Sequence, residues 1–124
     1  MNLVSLFLLL STVFLASCAP RVGPTYIFHR DHPIEIELKD FSFRPNHFVV
    51  LEDQSPVVLL LRNTDEVRHN FTLMSSDRAF ILSKDLQAKE SAAVSLESLK
   101  PGNNYAIYCF FHQHRGMEGM LMVN

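Results

Sequence analysis

The chain has 124 residues, 48% hydrophobic and 19% charged, with a formal net charge of -2 at pH 7. That length holds one packed domain, and the composition excludes a disordered chain. The near-balanced charge supplies no basic field for binding nucleic acid.

Leu3 to Leu15 form an apolar run broken only by Ser5, Ser11 and Thr12. This is the length of a signal-peptide core and short of the ~20 residues that span a membrane. The run closes with Leu15-Ala16-Ser17-Cys18, which resembles a bacterial lipobox. Residues 1–17 are therefore expected to be a lipoprotein signal peptide and Cys18 the lipidated residue, exporting the chain to the periplasmic or cell-surface side. An ordinary secretory signal with an incidental Cys18 is the alternative. Residues 18–33, with Pro20, Gly23 and Pro24 and no clear periodicity, read as a tether from the membrane. His29 and His32 lie in it as solvated side chains.

The folded domain is expected over residues 34–124. Ile34, Ile36 and Leu38 alternate with Glu35, Glu37 and Lys39, the period of a half-buried strand. Phe41 and Phe43 lead to a Pro45-Asn46 turn, and His47 to Leu51 form the next strand. Val57 to Leu61 is a continuous apolar run that predicts a central strand. Asn63 to Glu66 is a polar loop that delivers the chain to His69, and Asn70 to Met74 is a strand. In the weakly patterned stretch from Ser75 to Glu90, Lys84 to Lys89 could form one helical turn. Ala92, Val94 and Leu96 alternate in a further strand, and Lys100 to Asn104 is a turn around Pro101-Gly102. Tyr105 to Phe110 and Gly119 to Val123 complete the set, with Leu121 and Val123 inward and Met120 and Met122 outward. Short strands at regular spacing predict an all-β sandwich or barrel.

Between the last two strands lies Cys109-Phe110-Phe111-His112-Gln113-His114-Arg115-Gly116-Met117, spaced Cys-x2-His-x4-Met. A soft thiolate, an imidazole and a weak thioether suit one copper ion if a second histidine joins them, and His69 can supply it. Zinc is less suited to a thioether. If Cys18 is lipidated, Cys109 is the one remaining thiol; in an oxidising compartment a bound metal explains it. A Cys18–Cys109 disulfide and a metal-free core cysteine are the competing accounts.

The chain resembles the cupredoxins, the small blue-copper proteins, and most closely the plastocyanin-like type. The Cys109-x2-His112-x4-Met117 loop carries the resemblance, with Gly116-Met117-x-Gly119, His69-Asn70, Pro101-Gly102-x2-Tyr105-x3-Cys109 and Phe43-x-Pro45. It implies a Greek-key sandwich of antiparallel and mixed strands holding one type 1 copper. Its ligands would be His69 Nδ1, Cys109 Sγ, His112 Nδ1 and, axially, Met117 Sδ. It further implies that Asn70 ties the two ligand loops together and donates toward the thiolate, and that electrons leave through the exposed edge of His112. Phe111 stands where plastocyanins often carry proline. His114 and Met120 are candidates for accessory metal contacts, with solvated-rim and covered-core readings as alternatives.

The resemblance implies a membrane-tethered carrier of single electrons between redox proteins such as cytochromes or a copper oxidase. The second reading is a copper chaperone or store that passes copper to an oxidase or resistance system. Catalysis is not expected. No hydrolase nucleophile motif is present, and Tyr108 occupies the position that bridges to a trinuclear cluster in multicopper oxidases.

Overall fold

The computed structural model describes residues 24–28, 32–51, 56–97 and 99–124. The signal peptide and Cys18 lie outside the described residues. Among the described residues ten strands form two facing sheets. They are β1 (Thr25–Phe28), β2 (Ile34–Lys39), β3 (Ser42–Arg44), β4 (His47–Val50), β5 (Val57–Asn63), β6 (His69–Ser75), β7 (Phe80–Leu86), β8 (Ser91–Leu96), β9 (Asn104–Tyr108) and β10 (Glu118–Val123). One sheet has the order β1-β4-β10-β9-β6-β7 and the other β3-β2-β5-β8. Both are mixed: β1/β4, β4/β10 and β2/β5 run parallel, and the remaining pairs antiparallel.

The core is the set of inward side chains that the period-2 patterns select. Ile34, Ile36 and Leu38 from β2 and Leu59 and Leu61 from β5 meet Phe71 and Leu73 from β6, Ile107 from β9 and Leu121 from β10. Phe43 and Phe71 meet edge to face, with centroids 5.7 Å apart, joining the two sheets. Each such side chain contributes roughly 1.5–3 kcal/mol by leaving water. The run Val57 to Leu61 is indeed central, between β2 and β8. Its outer residues Val58 and Leu60 are half-buried, so the continuous apolar run has both faces partly covered.

Three expectations are revised. Thr25–Phe28, within the stretch read as a tether, pairs with β4 and sets Phe28 edge to face on the buried Phe48. Lys84 to Lys89 is not a helical turn. Lys84 to Leu86 belong to β7, an edge strand paired with β6, and the chain turns at Gln87–Glu90 with Lys89 at φ 62°. The pattern there is weak because an edge strand buries little of itself: Phe80, Ser83 and Asp85 are exposed. The strand expected to run to Phe110 ends at Tyr108, where the ligand loop begins.

Gly119 stands where β10 passes the Pro45-Asn46 turn. A Cβ on Gly119 would lie 2.2 Å from the Asn46 carbonyl oxygen, so only glycine permits this approach. The contact is fixed by the Met120 amide, which donates to that same oxygen at 2.7 Å.

Candidate metal centre

Two loops at one end of the sandwich bring three ligand-bearing side chains together. The first loop leaves β5 at Asn63, whose buried side chain organises it. Its amide nitrogen donates to the carbonyls of Val67 (2.8 Å), Gln87 (2.8 Å) and Leu86 (3.3 Å), and its oxygen accepts the Asp65 amide at 3.0 Å. This delivers His69 to the first position of β6, where it is fully buried.

The second loop joins β9 to β10, which pair up to Tyr108 opposite Glu118. The Cys109 amide donates to the Met117 carbonyl at 3.0 Å and the His112 amide to the Cys109 carbonyl at 3.1 Å. A short 3-10 turn over Gln113–Arg115 then ends at Gly116, whose φ of 80° is the left-handed conformation glycine adopts without strain. Cys109 and Met117 are fully buried, while His112 keeps a partly exposed edge.

His69, Cys109 and His112 offer ligand atoms that all lie within 4.8 Å of one another. The Nδ1 atoms of the two histidines are 3.1 Å apart, and Cys109 Sγ is 3.4 Å from His112 Nδ1. Such a set, two imidazoles and a thiol with no carboxylate among them, is placed to bind one copper ion. Met117 Sδ belongs to a residue held one hydrogen bond from Cys109, in the same buried cluster.

Neighbouring groups prepare these donors. The Asn70 backbone amide donates to Cys109 Sγ at 3.2 Å, and the Phe110 amide donates to Asn70 Oδ1 at 3.4 Å, so Asn70 links both loops. Its amide nitrogen donates to Asp85 Oδ1 at 2.7 Å, and Thr72 donates to its oxygen. Asp65 Oδ2 lies 2.7 Å from His69 Nε2. That contact keeps the proton on Nε2 and leaves the Nδ1 lone pair for a metal. Partial burial works against the Asp65 carboxylate, but the hydrogen bonds from His69 and the Asp40 amide hold its pKa below the ordinary value. Burial, together with His69, His114 and Arg115 nearby, lowers the pKa of His112 and favours the neutral ring.

Sequence reasoning missed three contributors: Asp65, Asn63 and Phe41. Asp40 and Phe41 both have positive φ, 51° and 54°. This turn puts the Phe41 ring 4.9 Å from that of His112 and 6.2 Å from that of His69. A carboxylate four residues before a ligand histidine was the only hint available for Asp65. His114 is exposed on the 3-10 turn and is not part of the three-residue group, and Met120 is half-buried on β10 beside His47 of β4. Among the described residues Cys109 is the free cysteine, and no helix is long and apolar enough to cross a membrane.

The sequence profile of the cupredoxin-like domain matches residues 5–123. No curated protein sequence matches significantly. Among solved structures, a reduced amicyanin variant superposes with a TM-score of 0.58 at 19% identity, covering 76% of this chain and 84% of that one. The purple cupredoxin from Nitrosopumilus maritimus gives 0.54 at 18% identity, covering 73% and 99%. A Cu-containing nitrite reductase from Thermus scotoductus gives 0.58 at 18% identity, covering 75% of this chain but 22% of that one. At these identities the likeness is one of fold.

Proposed function

The chain belongs to the cupredoxin-like domain family, and from that premise we propose that it is a mononuclear type 1 copper electron-transfer protein. It works at the cell envelope, tethered through a lipid on Cys18, and carries single electrons between redox proteins such as cytochromes or a copper oxidase. The observation that carries this reading is the convergence of the buried His69 and Cys109 with the half-buried His112, with Met117 packed in the core beside Cys109. In this reading His69 Nδ1, His112 Nδ1 and Cys109 Sγ would hold the metal, with Met117 Sδ as a further, weaker donor. Copper there supplies a one-electron couple.

The protein's part is to hold its donors in one arrangement for both oxidation states. Asp65 fixes the His69 tautomer, and the Asn70 amide steadies negative charge on Cys109. Backbone hydrogen bonds keep Cys109 and Met117 together. The partly exposed edge of His112 is the exit for the electron. With its donors supplied entirely by side chains, the centre has no evident position for a substrate, and we read the chain as a carrier and not an enzyme.

The test is the visible and EPR spectrum of the full chain after adding Cu(II), followed by voltammetry. A strong thiolate-to-copper band, lost in Cys109→Ala, and a reversible one-electron couple are expected. Bound copper without such a couple overturns the reading. Colourless binding of Cu(I), with transfer to a partner, would instead favour a copper chaperone or store, with the exposed His114 and half-buried Met120 as its entry contacts.

A further inference from the structure

The partly exposed edge of His112 sits among aromatic side chains: Phe41 and Phe111 lie against its ring, and Phe110 against Phe111. Phe110 is 70% exposed and Val67 47%, the largest apolar exposures on the ligand loops. Two guanidinium groups lie on this patch. Arg68 stacks over the Phe111 ring at 4.0 Å, and Arg115 over Phe41 at 3.9 Å, one from each ligand loop. Stacking fixes a guanidinium in place and leaves its edge N–H groups free to meet acceptors.

Some of the surrounding charges have ion-pair partners, and these two do not. Asp40 pairs with Arg44 at 3.2 Å and Glu66 with Lys89 at 2.7 Å, while the Asp65 carboxylate accepts a hydrogen bond from the neutral His69 ring and keeps its charge. Neither Arg68 nor Arg115 forms an ion pair among the described residues. The loop from Phe110 to Met117 contains no acidic residue, and the exposed Glu118 follows it at the start of β10. A chain of net charge -2 therefore sets two guanidinium groups without ion-pair partners beside the histidine through which an electron would leave.

We infer that this face docks a redox protein whose own docking surface is acidic. The inference rests on the electron-carrier reading and names its partner class. The aromatic patch excludes water around His112, and the two arginines steer and orient a partner that carries carboxylates around its redox centre. Exposed charges of this kind act on encounter rate more than on affinity, which suits a complex that must part quickly.

The experiment uses the copper-loaded full chain and two probes with the same haem: a basic c-type cytochrome, and that cytochrome with its lysines succinylated to carboxylates. Electron exchange is followed by stopped flow at low and high salt. At low salt the succinylated probe is expected to react about tenfold faster, a difference that shrinks once the Debye length falls well below ~10 Å. Net charge alone predicts the reverse order, so the ranking decides. The double variant R68Q/R115Q abolishes the preference, and R68K/R115K, which keeps the charge without the planar stack, restores it. Faster reaction with the basic probe, or a preference that survives R68Q/R115Q, overturns the docking assignment while leaving the electron-carrier reading intact. A chain that forms no thiolate-to-copper band overturns both, and that failure shows in the spectrum before any kinetics.

Discussion

The two loops that supply the candidate ligands are built by different means. The Asn63–Arg68 loop is shaped by side chains. The Asn63 amide reaches three carbonyls, the Lys89 ammonium donates to the Thr64 carbonyl at 2.6 Å, and the Asp65 carboxylate holds both His69 and the Asp40 amide. The Phe110–Met117 loop is shaped by its own backbone, with Arg115 bonded to His112, Gly116 to Gln113 and Cys109 to Met117. One ligand therefore depends on specific side chains far apart in sequence. The others depend on loop length and on two glycines. The first loop should be fragile to substitution and tunable, the second tolerant except where backbone conformation is at stake.

The sharpest way to break this contrast is to remove the central side chain of the first loop. Asn63→Ala leaves buried carbonyls without their donor and is expected to destabilise the copper-free chain by about 2–4 kcal/mol. The matched change in the second loop, Gln113→Ala, removes an exposed side chain and should cost under about 0.5 kcal/mol. Urea unfolding of both variants measures the difference, and equal costs would refute the distinction. Gly119→Ala tests the backbone side of the argument. Its new methyl, a Cβ with no freedom to rotate away, would meet the backbone carbonyl of Asn46, and a loss of about 1–3 kcal/mol is expected by the same measurement.

This difference also explains what could be read from the amino-acid order. The Cys109–Met117 loop is legible because a backbone-built loop keeps its ligands at fixed spacing, and the inward alternation in β2, β5 and β10 is legible because burial imposes a period. Asp65 and Asn63 are not legible. Their partners, His69 and Asp40 in one case and Leu86 and Gln87 in the other, are assembled by the fold and follow no local pattern. Phe41 escapes for the same reason, since only its left-handed turn brings the ring to His112. β7 and β1 are edge strands with mostly exposed faces, so hydrophobic period carries little information there.

A smaller effect concerns tuning. The Asp65 carboxylate increases the donor strength of His69 and favours the more highly charged Cu(II) over Cu(I). Asp65→Asn keeps an acceptor for the Nε2 proton and removes the charge. The Cu(II)-to-Cu(I) affinity ratio is then expected to fall up to tenfold, raising the potential by up to about 59 mV. The Asp65 side chain is 18% exposed, so solvent screens part of this effect. Voltammetry at constant pH reads the shift, and a potential that falls would refute the role assigned to the carboxylate.

The smallest expected effect separates the loops by pH in the copper-free chain. His112 titrates below its ordinary value in the folded protein because burial and the neighbouring His69, His114 and Arg115 oppose its charge. The unfolded chain takes up that proton near ~6.5, so it binds more protons than the folded chain just below that pH. Stability is therefore complete above ~6.5 and declines as pH falls from there through the folded value. Asp65 acts in a lower window: its folded pKa is also depressed, so its contribution holds above ~3.9 and is lost as pH falls through the folded value. Denaturant midpoints measured from pH 8 down to 3 should show both declines. His112→Gln should flatten the upper one alone, and Asp65→Asn should weaken the lower one alone. The exposed Asp77, held below its ordinary pKa first by its hydrogen bond with Ser75, retains a share of the lower window in either variant. If His112→Gln left the upper decline unchanged, the proton would belong elsewhere, and the backbone-built loop would carry no pH dependence of its own.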